Sequence, residues 1–134
     1  MYLLLFSLLF FLTACQDKSI VKIYEKNLEH TNVTCLRLVV FPPDEKTQTI
    51  LESIYSFSEE CTVTLTVSQK AKIVCNSNQN AAKKTMSNFP SSYLRMDIKS
   101  ENRPLYSYYV DLLDKADKGD LQDALSRVRE DLEL

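Results

Sequence analysis

The chain of 134 residues is poor in the residues on which most small catalytic and ligand-binding motifs depend. It has a single glycine, Gly119, so a glycine loop that cradles phosphate is excluded. Its one histidine, His30, stands before the first strong strand pattern. A histidine-based triad or a histidine-rich metal site therefore lacks its members. Tryptophan is absent altogether. Cysteines stand at 15, 35, 61 and 75, none in the CxxC spacing of zinc or thioredoxin-like sites. The net charge is −2, which argues against a general nucleic-acid binder, whose domain is usually basic. Finally, the first fifteen residues carry no charge of either sign.

That uncharged opening, MYLLLFSLLFFLTAC, is the most informative stretch that is present. Its apolar run, residues 2–12, is too short to cross a bilayer, which takes roughly 20 residues as a helix. It has the length of the apolar region of a secretory signal, followed by the small residues Thr13 and Ala14. The polar Gln16, Asp17 and Lys18 come next. Leu12-Thr13-Ala14-Cys15 resembles the lipobox of bacterial lipoproteins, although no Lys or Arg precedes the apolar run. The resemblance implies cleavage before Cys15 and a diacylglyceryl group on its sulfur. Two or more acyl chains anchor a protein stably where one does not. The expected organisation is a signal peptide over 1–14, a lipidated N-terminus and tether over 15–30, and one domain over 31–134. Gln16 directly after the cysteine, in place of aspartate, implies the periplasmic face of the outer membrane.

The remainder of the chain alternates between strand and helix patterns. Residues 34–41 place Leu36, Leu38 and Val40 on one face and Cys35, Arg37 and Val39 on the other. Pro42 and Pro43 end that strand, and Asp44 can cap a helix near 45–57 that carries Ile50, Leu51, Ile54 and Tyr55. Residues 61–67 set Cys61, Val63, Leu65 and Val67 against Thr62, Thr64 and Thr66. That is the pattern of a half-buried antiparallel strand. Ala71, Ile73 and Cys75 share a face next, so 61–67 and the following strand are expected to form a hairpin. A second helix is expected between Ser77 and Pro90. A strand over 93–99 has Leu94, Met96 and Ile98 inward, and another over 105–112 is rich in tyrosine. A last helix near 120–132, capped by Asp120, carries Leu121, Ala124, Leu125, Val128 and Leu132.

The order β-α-β-β-α-β, with an added strand and helix, predicts an α+β domain. About five mostly antiparallel strands in a ferredoxin-like arrangement would carry helices on one face, because each long strand has one apolar side. An all-antiparallel sheet with other connections fits the same order. The β-α-β-β opening also loosely resembles that of the lipopolysaccharide-assembly lipoproteins, by element order alone.

Strand parity sorts the three cysteines left after lipidation. Cys61 and Cys75 fall on the covered face of a hairpin, and they would bridge if Val63 stood opposite Ile73. Cys35 falls with Arg37 on the other face and would stay unpaired. The alternative is three buried free thiols. The uncovered face is expected to present Arg37, Lys72, Tyr93, Arg95 and Lys99 as a partner-docking surface, since tyrosine and arginine are favoured in interface hot spots.

The expectation is thus a membrane-anchored accessory or assembly lipoprotein that binds a protein partner, without cofactor, metal or nucleic acid. An inhibitor or immunity lipoprotein that neutralises a periplasmic toxin or hydrolase is the alternative. A two-carboxylate hydrolase is a third reading, for which no pair of acidic residues is singled out.

Overall fold

The computed structural model describes residues 18–73 and 90–134. Strand alternation builds its centre. In β3 (Val63–Lys70) Val63, Leu65 and Val67 are buried, while Thr64, Thr66 and Ser68 lie half-exposed on the opposite side. In β4 (Ser92–Ser100) Leu94, Met96 and Ile98 are fully buried in the same way. Burying one such side chain contributes about 1.5–3 kcal/mol, so the two strands fix which face turns inward.

Three further strands of the described residues join them in one sheet. They are β1 (Ile20–Ile23), β2 (Arg37–Phe41) and β5 (Arg103–Leu112). The order across the sheet is β1-β5-β4-β3-β2. Among the described residues, β2 and β3 alone run parallel; the other three pairings are antiparallel. The inward side chains then meet in rows, such as Leu38, Leu65, Ile98, Tyr106 and Ile23 from edge to edge. A register shift between Ile98 and Lys99 lets the consecutive residues Leu105 and Tyr106 both be buried.

Among the described residues, three helices cover the inward face. The short α1 (Glu25–Leu28) follows β1, and Asn27 Nδ2 donates to the Pro104 carbonyl at 2.7 Å. In α2 (Glu45–Ile54) Leu51 and Thr47 are buried. In α3 (Lys118–Leu132) the buried stripe is Leu121, Ala124, Leu125 and Val128. All three helices contribute to the one apolar cluster that holds Leu65, Met96 and Ile98. The class is therefore α+β, with a five-stranded mixed sheet and its described helices on one side. Among the described residues, no helix is long and apolar enough to cross a membrane.

Local chemistry sets the helix ends. Pro42 and Pro43 stop β2, and Asp44, in extended backbone, precedes α2 and accepts from the Thr47 hydroxyl at 2.9 Å. The helix stops at Ile54, short of the expected residue 57, because Tyr55 turns extended. There its ring lies 4.9 Å from that of Phe57 and 5.5 Å from the Arg129 guanidinium of α3. The cap of α3 is Asp117, three residues before the expected Asp120. The two form a capping box: Asp117 Oδ1 accepts from the Asp120 amide, and Asp120 Oδ2 from the Asp117 amide, both at 2.9 Å.

Four expectations are corrected. Residues 15–30 are not all tether, since Ile20–Ile23 pairs antiparallel with β5 as an edge strand. Residues 71–73 form no strand, and the antiparallel partner of β3 is β4. The alternation of β3 runs on to Gln69, whose amide turns inward and donates to Asp44 Oδ2 at 3.0 Å and to Thr47 Oγ1. A polar residue that finds buried partners thus extends a strand that an apolar pattern would have ended. Cys61 is bridged to Cys35, not to Cys75, and Cys35 is not unpaired. Both bridged cysteines precede their strands, where alternation no longer constrains them. The chain after α2 returns alongside residue 36, with Ser58 N donating to the Leu36 carbonyl at 2.9 Å and Cys61 N to the Ser58 carbonyl at 3.2 Å. Cys15, Cys75 and the helix expected between 77 and 90 lie outside the described residues, apart from Pro90 itself.

Candidate surface on the uncovered sheet face

The register of the five strands places seventeen side chains on the side away from the described helices, in four rows. The first holds Arg37, Thr64, Lys99 and Pro104, and the second Val39, Thr66, Asp97, Ser107 and Lys22. Phe41, Ser68, Arg95, Tyr109 and Ile20 form the third row, and Lys70, Tyr93 and Asp111 the fourth. Four of the five expected docking residues stand here: Arg37, Tyr93, Arg95 and Lys99. Lys72 does not. It lies two residues beyond β3 with a positive φ of 57°, outside the strand ladder that would have aimed it.

Hydrogen bonds hold the polar middle in place. Arg37 Nη2 donates to Thr64 Oγ1 at 2.9 Å across the parallel pair. Asp97 receives Arg95 Nε on one oxygen at 2.8 Å and the Ser107 hydroxyl on the other at 2.7 Å. Tyr109 donates to Asp111 Oδ1 at 2.8 Å, and its ring stacks on that of Tyr93 with centroids 5.7 Å apart. The Asp111 carboxylate holds the Tyr109 phenol protonated above its ordinary range, with burial a smaller cause. Tyr109 is thus a neutral donor at physiological pH.

The rim is different in character. Phe41 is 66% exposed and Val39 41%, both on the edge strand β2; Ile20 is 66% exposed on the opposite edge. An edge strand presents unpaired backbone groups as well as side chains. The face also concentrates positive charge: Lys22, Arg37, Lys70, Arg95 and Lys99 stand against Asp97 and Asp111, a local +3 on a chain whose net charge is −2. A surface with a fixed polar centre, stacked tyrosines, apolar rims and positive charge can dock a partner of complementary charge.

Sequence reasoning missed Phe41 and Tyr109; Asp97 shares the outward parity of Tyr93, Arg95 and Lys99 but was not counted among the docking residues. The signal for Phe41 was available, since it continues the Arg37 and Val39 parity. Tyr109 was hidden because three tyrosines within four positions fall on both faces, and the register with β4 is needed to sort them.

A second polar cluster sits where α2 begins. Asp44 Oδ2 accepts from Lys115 Nζ at 2.6 Å in addition to Thr47 and Gln69. The Lys115 hydrogen bond is the main reason the Asp44 carboxyl titrates below its ordinary value. The four side chains fasten β3, α2 and the chain before α3 to one another, which is a structural task. Among the described residues, no group of three or more His, Cys, Asp or Glu side chains converges to hold a metal ion. Comparison with known protein families, curated proteins and solved structures finds no match to this chain.

Proposed function

We propose that this chain is a lipid-anchored protein of the bacterial envelope that binds a protein partner through the uncovered face of its sheet, as an accessory or assembly factor. The anchor rests on the apolar run at 2–12 and the lipobox-like Leu12-Thr13-Ala14-Cys15. Gln16 after the cysteine supports the periplasmic face of the outer membrane. The observation that carries the binding reading is the third row of the face. Phe41, Ser68, Arg95, Tyr109 and Ile20 form one band across all five strands, apolar at both ends and cationic and aromatic within. The local +3 points to a partner with an acidic surface.

Crosslinked capture from membranes tests the reading. Wild-type protein retains a partner, Arg37→Glu and Arg95→Glu lose it, and Gln122→Glu on the exposed side of α3 keeps it. Capture unchanged by both arginine reversals removes the sheet face from consideration.

A further inference from the structure

If Cys15 carries the lipid, the position of β1 decides how the domain sits on the bilayer. Five peptide steps separate Cys15 from Ile20, which is already hydrogen-bonded into the sheet opposite Tyr109. Fully extended, they span at most about 18 Å. The sheet is four strand spacings wide from β1 to β2, roughly 19 Å. A leash of that length cannot comfortably anchor a domain standing on its β2 edge, because it would have to cross the whole sheet without slack. The β1 side stays near the membrane.

What β1 exposes fits that position. Ile20 is 66% exposed and Ile23 42%, and the two belong to opposite faces of the same strand: Ile20 pairs with Tyr109, Ile23 with Tyr106. A membrane laid flat on the uncovered face would reach Ile20 and leave Ile23 in water. Only contact along the edge removes both from water. Lys18, Lys22 and Lys26 lie within three positions of one or the other in the chain, with Glu25 among them and Asp17 and Glu29 at the two ends of the segment. Beside Ile23 the surface dips into a shallow depression of about 370 Å³ lined by Ile23, Tyr24, Glu25, Lys26 and Asn27. Apolar side chains at the acyl boundary with basic residues at the headgroups are the usual physical features of interfacial binding.

We propose that the domain rests on the bilayer through its β1 edge: Ile20 and Ile23 enter the headgroup layer, and Lys18, Lys22 and Lys26 meet anionic headgroups. The sheet then stands on the membrane and carries β2, with Val39 and Phe41, to its far side. Ile20 and Lys22 at the β1 edge face lipid, and the partner meets the face from Phe41 to Tyr109, with Arg37, Lys70, Arg95 and Lys99. This rests on the lipid-anchor reading above, and its test separates the two.

The absence of native tryptophan makes single-tryptophan reporters unambiguous. The lipidated full-length protein is reconstituted into vesicles of phosphatidylethanolamine and phosphatidylglycerol with brominated acyl chains, as Ile20→Trp, Ile23→Trp or Phe41→Trp. All three positions are exposed, so the substitutions leave the core intact. Flotation of wild type, lost in Cys15→Ser, establishes the anchor independently. With the anchor in place, Ile20→Trp and Ile23→Trp show blue-shifted, quenched emission and Phe41→Trp does not. Quenching of Ile20→Trp and Phe41→Trp without Ile23→Trp means the sheet lies flat and overturns the edge contact. Absence of quenching at 20 and 23 in a protein that floats overturns it as well. A wild type that fails to float with the vesicles overturns the anchor reading, and the edge contact with it.

Discussion

Cys35 and Cys61 are bridged at the end of the sheet where the parallel strands β2 and β3 both begin, their Cα atoms 6.0 Å apart. The bridge closes the β2-α2-β3 crossover, with the two cysteines 26 positions apart in the chain. Closing a loop of that size removes unfolded-state entropy worth roughly 3 kcal/mol. Reduction, or Cys35→Ala with Cys61→Ala, is therefore expected to lower unfolding free energy by about 3 kcal/mol in denaturant titration. Non-reducing peptide maps yield a Cys35–Cys61 crosslinked pair. A Cys61–Cys75 peptide in its place contradicts the fold at this end.

Alkaline stability is governed in part by Tyr106. Its hydroxyl donates to Asp131 Oδ2 at 2.8 Å, and Arg127 Nε reaches both oxygens of the same carboxylate. Burial, and then the Asp131 carboxylate, raise the phenol well above its ordinary value of 10.0. The unfolded chain loses that proton first as pH rises. The contribution is thus complete below pH 10 and is lost above it. Tyr106→Phe is expected to cost about 1 kcal/mol at neutral pH and to shrink the alkaline loss. Unfolding midpoints measured from pH 8 to 12 check this. Tyr109, raised by Asp111, leaves a residual slope.

Acid stability depends on Asp44 with the opposite sign. Lys115, Thr47 and Gln69 all donate to its carboxylate, whose titration lies below the ordinary 3.8. The unfolded chain takes up the proton first, so this contribution is present above that value and fades as pH falls through the folded one. Asp44→Ala is expected to cost about 1–2 kcal/mol at pH 7, because the buried Gln69 amide loses a partner. The penalty shrinks below pH 4. A penalty constant from pH 7 to pH 2 would show that the carboxylate is not what matters.

The two sides of the sheet respond differently to truncation. Leu65→Ala removes a fully buried side chain and is expected to cost about 2–5 kcal/mol, whereas Thr66→Ala beside it costs well under that. Equal losses in thermal unfolding would mean the uncovered face is covered.

This contrast shows what was legible in the sequence. The alternation of Val63, Leu65 and Val67, and of Leu94, Met96 and Ile98, is a local property, so inward and outward sides could be read directly. The same reading put Arg37, Tyr93, Arg95 and Lys99 on one surface. Which strands are neighbours is a non-local property. Period-two patterning says nothing about pairing, so Cys61 was assigned a hairpin partner when its neighbour is the parallel strand after Cys35. Lys72 was misplaced because β3 ends on inward Gln69 and outward Lys70, a polar pair that reads as a turn. Ile20–Ile23 escaped notice because four residues, three of them exposed, carry too short a pattern.

The central claim is that an anchored domain presents its uncovered sheet face to a protein partner. Photo-crosslinking amino acids at Phe41, Tyr93 and Gln122 of the full-length protein, activated in intact envelopes, test it most directly. The account predicts one shared protein adduct from positions 41 and 93 and none from 122, on the helical side. An adduct from 122 with none from 41 or 93 would contradict it.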